Sequence, residues 1–99
     1  MNTAGRPGRL LSLDSLTLTD TRPQDLIRAA AAARFDACSL WIMPPPLFPQ
    51  ALLAPEAERE CAAVIADTGI AVIALEVFDL HSLAAVDACR PLLDLGARL

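Results

Sequence analysis

The chain alternates three times between a short apolar run and a segment of helical periodicity, and this alternation constrains its fold more than any other feature. Strand starts about 30 residues apart leave room for one helix in each connection, as in the right-handed βαβ crossovers of a parallel sheet. The sequence therefore predicts an α/β fold of three βα units, (βα)3. Parallel strands are predicted near residues 10–16, 37–43 and 70–77, and helices near residues 22–33, 55–67 and 83–95.

Several residues mark the ends of the predicted helices. Thr21 and Gln24 match a capping box, T-x-x-Q, and Pro23 fits the first turn, where its missing N–H costs little. Gly69 suits the left-handed position that ends the second helix. Pro91 predicts either a kink in the third helix or a later start for it.

The predicted strands have two unlike faces, because successive side chains of a strand point to opposite sides. One face is aliphatic: Leu11 and Leu13 in the first strand, Leu40 and Ile42 in the second, and Ile73, Leu75 and Val77 in the third. The other face is small or polar and is expected to lie open if all three helices cover the aliphatic side; it includes Ser12, Ser39, Val72 and Ala74. The nearly unbroken apolar run at 70–77 is also typical of a parallel strand buried on both faces.

Four candidate site residues lie at the ends of these strands or just after them. Ligand sites in parallel α/β folds form beyond the carboxyl ends of the strands, where Asp14, Trp41 and Glu76 fall. His81, in the loop after the third strand, could act as a general base or metal ligand, or be a solvated loop histidine. Each of the others has a structural alternative: Asp14 a turn cap, Trp41 core filling, and Glu76 a pair with an arginine or a backbone N–H.

Composition excludes several classes of function. The formal net charge is −4 at pH 7, and the basic residues are scattered, so no nucleic-acid partner is expected. The apolar runs are too short to span a membrane, and Asp14 interrupts the one near the N-terminus before a signal-peptide core could form. The three widely spaced cysteines form no CxxC or Cys/His pattern, so we expect buried, reduced thiols in a cytoplasmic protein.

Three longer segments carry a resemblance to a known family. They are LSLDSLTLTDTRPQDLIRAAAAARFDACSLWI, ERECAAVIADTGIAVIALEVFDL and ACRPLLDLGARL, which together span most of residues 10–99. They resemble the first three βα units of the sugar phosphate isomerase/epimerase family, a group of xylose-isomerase-like TIM barrels. The resemblance implies a barrel that binds a divalent metal and moves a hydrogen between adjacent carbons of a sugar, sugar phosphate or polyol. Of the candidate residues, only Glu76 and Trp41 match positions of the family, as pocket walls and not as metal ligands.

The chain departs from the family pattern at two places. Related chains usually carry glycine at the position of Arg34, a helix exit that is often left-handed, and arginine there costs roughly 1 kcal/mol relative to glycine. Strand one of the family often offers a histidine, whereas this chain has Asp14 followed by Ser15.

These observations lead to two alternative functions. Because a TIM barrel takes about 250 residues, residues 10–99 are expected to be one incomplete barrel domain behind a flexible tail, residues 1–9. Such a piece would lack the metal-binding strands, need no cofactor alone, be inactive alone, and either self-associate or bind a complementing C-terminal half. The alternative is a small non-catalytic α/β binding or interaction module. Helix placement distinguishes them: three helices on one face favour the barrel piece, and two plus one favour the module.

Overall fold

The fold is an open sheet of three parallel strands in the order β1-β2-β3, combined with three helices. The computed structural model describes residues 8–42, 47–77 and 80–99. The strands are β1, Ser12–Asp14, β2, Ala37–Trp41, and β3, Ala71–Glu76; the helices are α1, Pro23–Ala32, α2, Glu58–Thr68, and α3, Leu83–Arg98. Each helix follows a strand, so the predicted (βα)3 arrangement is confirmed. The tail as far as residue 7 and the Pro44–Pro46 run lie outside the described residues.

The helices cover one face of the sheet. Leu13, Cys38 and Val72 are lateral partners across the three strands, and Leu40 pairs with Leu75 two positions further along β2. These residues share one apolar core with side chains from every helix. The helical contribution comes from Leu26, Ile27 and Ala30 in α1, Cys61 and Val64 in α2, and Leu92 and Leu95 in α3. All three helices therefore pack on the same side.

The prediction that aliphatic and polar faces alternate strictly along each strand is wrong in β3. The register with β2 shifts between Cys38 and Ser39, so that Cys38 pairs with Val72 but Ser39 pairs with Ala74. Ile73 is skipped, and its side chain is 51% exposed. The extra residue turns Val72 toward the helices together with Leu75, as expected of a bulge in one strand of a pair.

The prediction that β3 is buried on both faces is also wrong. Residues of β3 are half-buried or exposed, whereas all five residues of β2 are buried. The reason is position, because β2 is the central strand and β3 is an edge. An apolar run alone does not distinguish these two places in a sheet.

The start of α1 differs from the predicted capping box. Arg22, not Thr21, is the N-cap residue, and its side chain forms no capping hydrogen bond. Pro23 takes the first helical position, as predicted, which leaves Thr21 one residue too early to cap. Gln24 is buried, and its Nε2 donates instead to Glu60 Oε1 of α2 at 3.1 Å.

α1 and α2 both end in the left-handed conformation. Gly69 has φ 76°, and Arg34 has φ 66°, at the position where the resemblance leads us to expect glycine. Glycine adopts this conformation without strain, but arginine does so at the cost of a Cβ clash. Both helix ends thus require a left-handed residue. The glycine after α2 suits this conformation, and the arginine after α1 does not.

α3 lies on the same face as the other helices but in a different orientation. Its last turn approaches the carboxyl end of β3, since a Cβ on Gly96 would meet Leu75 Cδ1, and Arg98 binds Glu58 at the start of α2. In a regular βα unit the last turn would lie near the start of the strand. The first turns of α3 are largely exposed. The helix is continuous through Pro91 and starts at Leu83, so a later start is excluded.

Candidate carboxyl pair at the strand ends

Two carboxyl groups meet at the carboxyl end of the sheet, on the face opposite to the helices. Asp14 ends β1 and Glu76 ends β3, and each follows a residue whose side chain packs into the helix-bearing core. The register aligns Asp14 with Ser39 and Glu76 with Trp41, so the two acids stand on either side of β2. The parallel order of the strands thus unites residues that are 62 positions apart in the sequence.

The two side chains interact with each other. Partial burial, the hydrogen bond with Asp14 and the negative charge of Asp14 raise the pKa of Glu76 above its ordinary value. Burial and a neighbouring negative charge both favour the protonated form of a carboxyl group, so Glu76 binds a proton more readily than an ordinary glutamate. A carboxyl group whose pKa is raised in this way is suited to giving or taking a proton.

Asp14 is held in place by the turn that follows β1. Its Oδ1 accepts a hydrogen bond from the Leu16 N–H at 2.9 Å, which caps the 3-10 turn Ser15–Thr17. Ser15 is buried, and its hydroxyl donates to the Ser39 carbonyl oxygen at 3.1 Å, tying the turn to β2. The turn-cap alternative for Asp14 is thus correct, and the same side chain still meets Glu76. Ser15 was not predicted; its only sequence signal is a hydroxyl just after a strand-ending acid.

Trp41 is buried and does not line an open surface. Its ring lies 6.4 Å from that of Phe48, centroid to centroid, and its carbonyl oxygen accepts from the Leu53 N–H at 2.9 Å. Residues of the segment after β2 therefore lie against the end of that strand. The expectation of an open polar face is wrong at β2, where Ser39 is also buried. It is wrong at β3 too, where Val72 packs against the core and Ile73, predicted on the covered aliphatic face, is exposed.

The remaining candidate, His81, is exposed in the connection before α3, five positions after Glu76. A further polar group lies on the same strand face as Asp14: the Ser12 hydroxyl oxygen is buried and forms no hydrogen bond within the protein.

The divalent metal that the resemblance implies does not fit the residues described. Within residues 8–42, 47–77 and 80–99, no group of three or more His, Cys, Asp or Glu side chains is arranged to hold a metal ion. Asp14 and Glu76 supply at most two carboxylate ligands. We therefore derive no chemical step through a metal at this pair.

The three cysteines are free and buried. Burial raises the pKa of Cys38 to about 12 and that of Cys61 to about 11. Both thiols are thus protonated near neutral pH, which makes them poor nucleophiles.

No family model, curated protein or solved structure matches this chain. None of the described helices is long and apolar enough to cross a bilayer.

Proposed function

We propose that this chain forms the first three βα units of a sugar- or sugar-phosphate-converting barrel of the isomerase/epimerase kind. The observation that carries the proposal is the Asp14–Glu76 pair, two interacting carboxyl groups at the carboxyl ends of β1 and β3, opposite the helices, with the pKa of Glu76 raised. Ligands bind at this end of parallel α/β sheets. Isomerisation moves a hydrogen between neighbouring carbons, and a carboxyl group of raised pKa suits that proton transfer.

The sheet order also supports the proposal. Strands in sequence order with every helix on one face form a singly wound sheet, which can curl into a cylinder when more strands are added. A doubly wound sheet would carry helices on both faces. α3 does not have the orientation of a helix in a regular barrel unit. In this proposal, α3 reorients and packs along β3 when a following unit is present.

In this proposal, the chain binds the sugar but does not complete the reaction alone. Glu76 exchanges a proton with the substrate, and Asp14 holds Glu76 in place. The divalent metal and its ligands belong to strands beyond β3. With its cysteines free and buried, the protein is proposed to act in the cytoplasm.

Trp41 provides the test, because it is the only tryptophan. The purified chain is titrated with sugars and sugar phosphates while Trp41 fluorescence is recorded, and turnover is assayed with added Mg²⁺ or Mn²⁺. We expect weak binding without turnover, with binding lost in Glu76→Gln but kept in Glu56→Gln, a matched change at an exposed glutamate. Turnover by the chain alone, or binding that survives Glu76→Gln, would contradict the proposal.

The alternative is a small non-catalytic interaction module. The apolar surface that α3 exposes favours it, because exposed apolar patches commonly mark contact sites. The same titration separates the two functions, since an interaction module has no reason to bind sugars at Glu76.

A further inference from the structure

One side of α3 carries a regular stripe of exposed residues. Leu83, Val86, Arg90, Leu93 and Ala97 recur at alternating spacings of three and four; together they are the α3 stripe. The large apolar members are 85%, 37% and 49% exposed at Leu83, Val86 and Leu93. This spacing is the seam pattern of a two-stranded coiled coil.

The stripe belongs to α3 alone. α1 and α2, both wholly within the described residues, expose no large apolar side chain. Within the described residues, the stripe also faces away from the core, because α3 contacts the sheet through its other side, at Leu92, Leu95 and Gly96. Because successive residues of a helix are rotated by about 100° around its axis, the centre of the stripe lies well over a quarter-turn around α3 from the side that contacts the sheet.

We infer that the α3 stripe binds the α3 stripe of a second copy of this chain, with the two helices antiparallel. In this register Leu83 packs on the second copy's Leu93, and Val86 packs on the aliphatic part of Arg90. The contact is symmetric, so each pairing occurs twice, as in a two-fold dimer. The inference goes beyond the proposed function and does not depend on it.

Charge selects the antiparallel direction. Arg90 lies in the middle of the stripe, and its Nε forms an ion pair of 3.1 Å with Asp87 Oδ1 of its own chain. The two side chains are 74% and 69% exposed, respectively. Parallel helices would bring Arg90 against Arg90. Antiparallel helices bring Arg90 beside the second copy's Asp87, which exchanges the internal ion pair for two pairs between copies.

The size of the contact predicts a weak dimer. A 16-residue helix is ~24 Å long, so a single helix pair buries less than the ~800 Å² per partner of typical stable complexes. We therefore expect a reversible monomer–dimer equilibrium.

Sedimentation velocity of the full chain over ~10 to ~500 µM tests this, a range suited to a contact of that size. Wild type should shift from monomer to dimer. Leu83→Glu and Leu93→Glu should each weaken the dimer more than roughly tenfold. Leu47→Glu is the matched control, because Leu47 is 83% exposed in the connection after β2, and it should leave the equilibrium unchanged. Circular dichroism melting confirms that each variant folds.

A charge exchange tests whether the partner is a second copy of this chain. Arg90→Asp alone brings acid against Asp87, and Asp87→Arg alone brings arginine against Arg90, so each variant should be monomeric. An equimolar mixture should form a heterodimer, because both contacts then pair opposite charges.

Four results would overturn the inference: a monomer at every concentration, a dimer that Leu83→Glu leaves intact, a mixture of the two charge variants that stays monomeric, or a dimer that only Ile73→Lys disrupts. The last would identify the β3 edge as the contact.

Discussion

The two halves of this molecule are both rich in apolar residues, but they pack very differently. In the first half, α1 and α2 pack side by side on β1 and β2, and the Arg28–Glu60 ion pair of 3.0 Å joins the helices. In the second half, β3 is a half-exposed edge, and α3 reaches the core mainly through its last turns. Apolar residues fill both halves, so hydrophobicity alone does not explain the difference. What differs is that α1 and α2 pack against each other along the sheet, whereas α3 meets the core mainly through its last turns.

This difference has a consequence for function. The packed half fixes Asp14 through its turn, whereas Glu76 belongs to the less enclosed strand. The carboxyl pair thus joins a strand end held by a hydrogen-bonded turn to the end of a half-exposed strand. Any ligand or partner that covers β3 also changes the surroundings of Glu76.

The largest expected effect separates two leucines, one in each half. Leu26→Ala in α1 should lower the free energy of unfolding by ~2–5 kcal/mol, because Leu26 is 1% exposed in the core. Leu83→Ala in α3, where the side chain is 85% exposed, should change it by less than ~0.5 kcal/mol. Urea unfolding of dilute protein measures both. Equal losses would show that α3 is packed as firmly as α1.

The second effect concerns the ends of the two packed helices. Arg34→Gly should raise the free energy of unfolding by roughly 1 kcal/mol, because φ is 66° there and glycine adopts it without strain. Gly69→Ala, at φ 76°, should lower it by roughly 1 kcal/mol; a Cβ there has no atom within 4 Å, so strain is the only cost. Thermal melts of the two variants should shift in opposite directions. A destabilised Arg34→Gly would mean that the arginine side chain contributes more than its backbone strain costs.

The smallest effect is a pH dependence at the carboxyl pair. The pKa of Glu76 is raised in the folded state, mainly by burial and by Asp14, so folding is favoured while Glu76 is protonated. That contribution is fully present below the unfolded-state pKa of ~4.3 and is lost as the pH rises through the folded-state pKa. Glu76→Gln should therefore be more stable than wild type at neutral pH, and the difference should shrink on acidification. Urea unfolding at a series of pH values measures it, with Glu56→Gln as the control. A difference that does not vary with pH would mean that folding does not raise the pKa of Glu76.

Much of the fold could be predicted from the sequence because it depends on local periodicity. The three strands and helices occur where apolar spacing indicates them, and Gly69 ends α2 as its conformational freedom predicts. The prediction failed where a feature depends on neighbours. Thr21 matches a capping motif but stands one residue before the N-cap, since Pro23 sets the first helical position. Ile73 fits an alternating strand, yet the register shift in β3 turns it outward.

The candidate site shows the same division. Alternation and strand ends identified Asp14 and Glu76 separately, because carboxyl ends of parallel strands face one edge. Their contact could not be predicted, since it depends on the strand order and on the turn at Ser15. The burial of Trp41 likewise depends on where the segment around Phe48 lies.

The sequence by itself determined the three βα units and the residues at their ends, because helix and strand periods are set by a few neighbouring residues. Only the tertiary structure decided which strand is central, which way α3 runs and which two acids meet. Those features arise from contacts between residues far apart in the chain, where many arrangements satisfy the same local pattern and packing selects one.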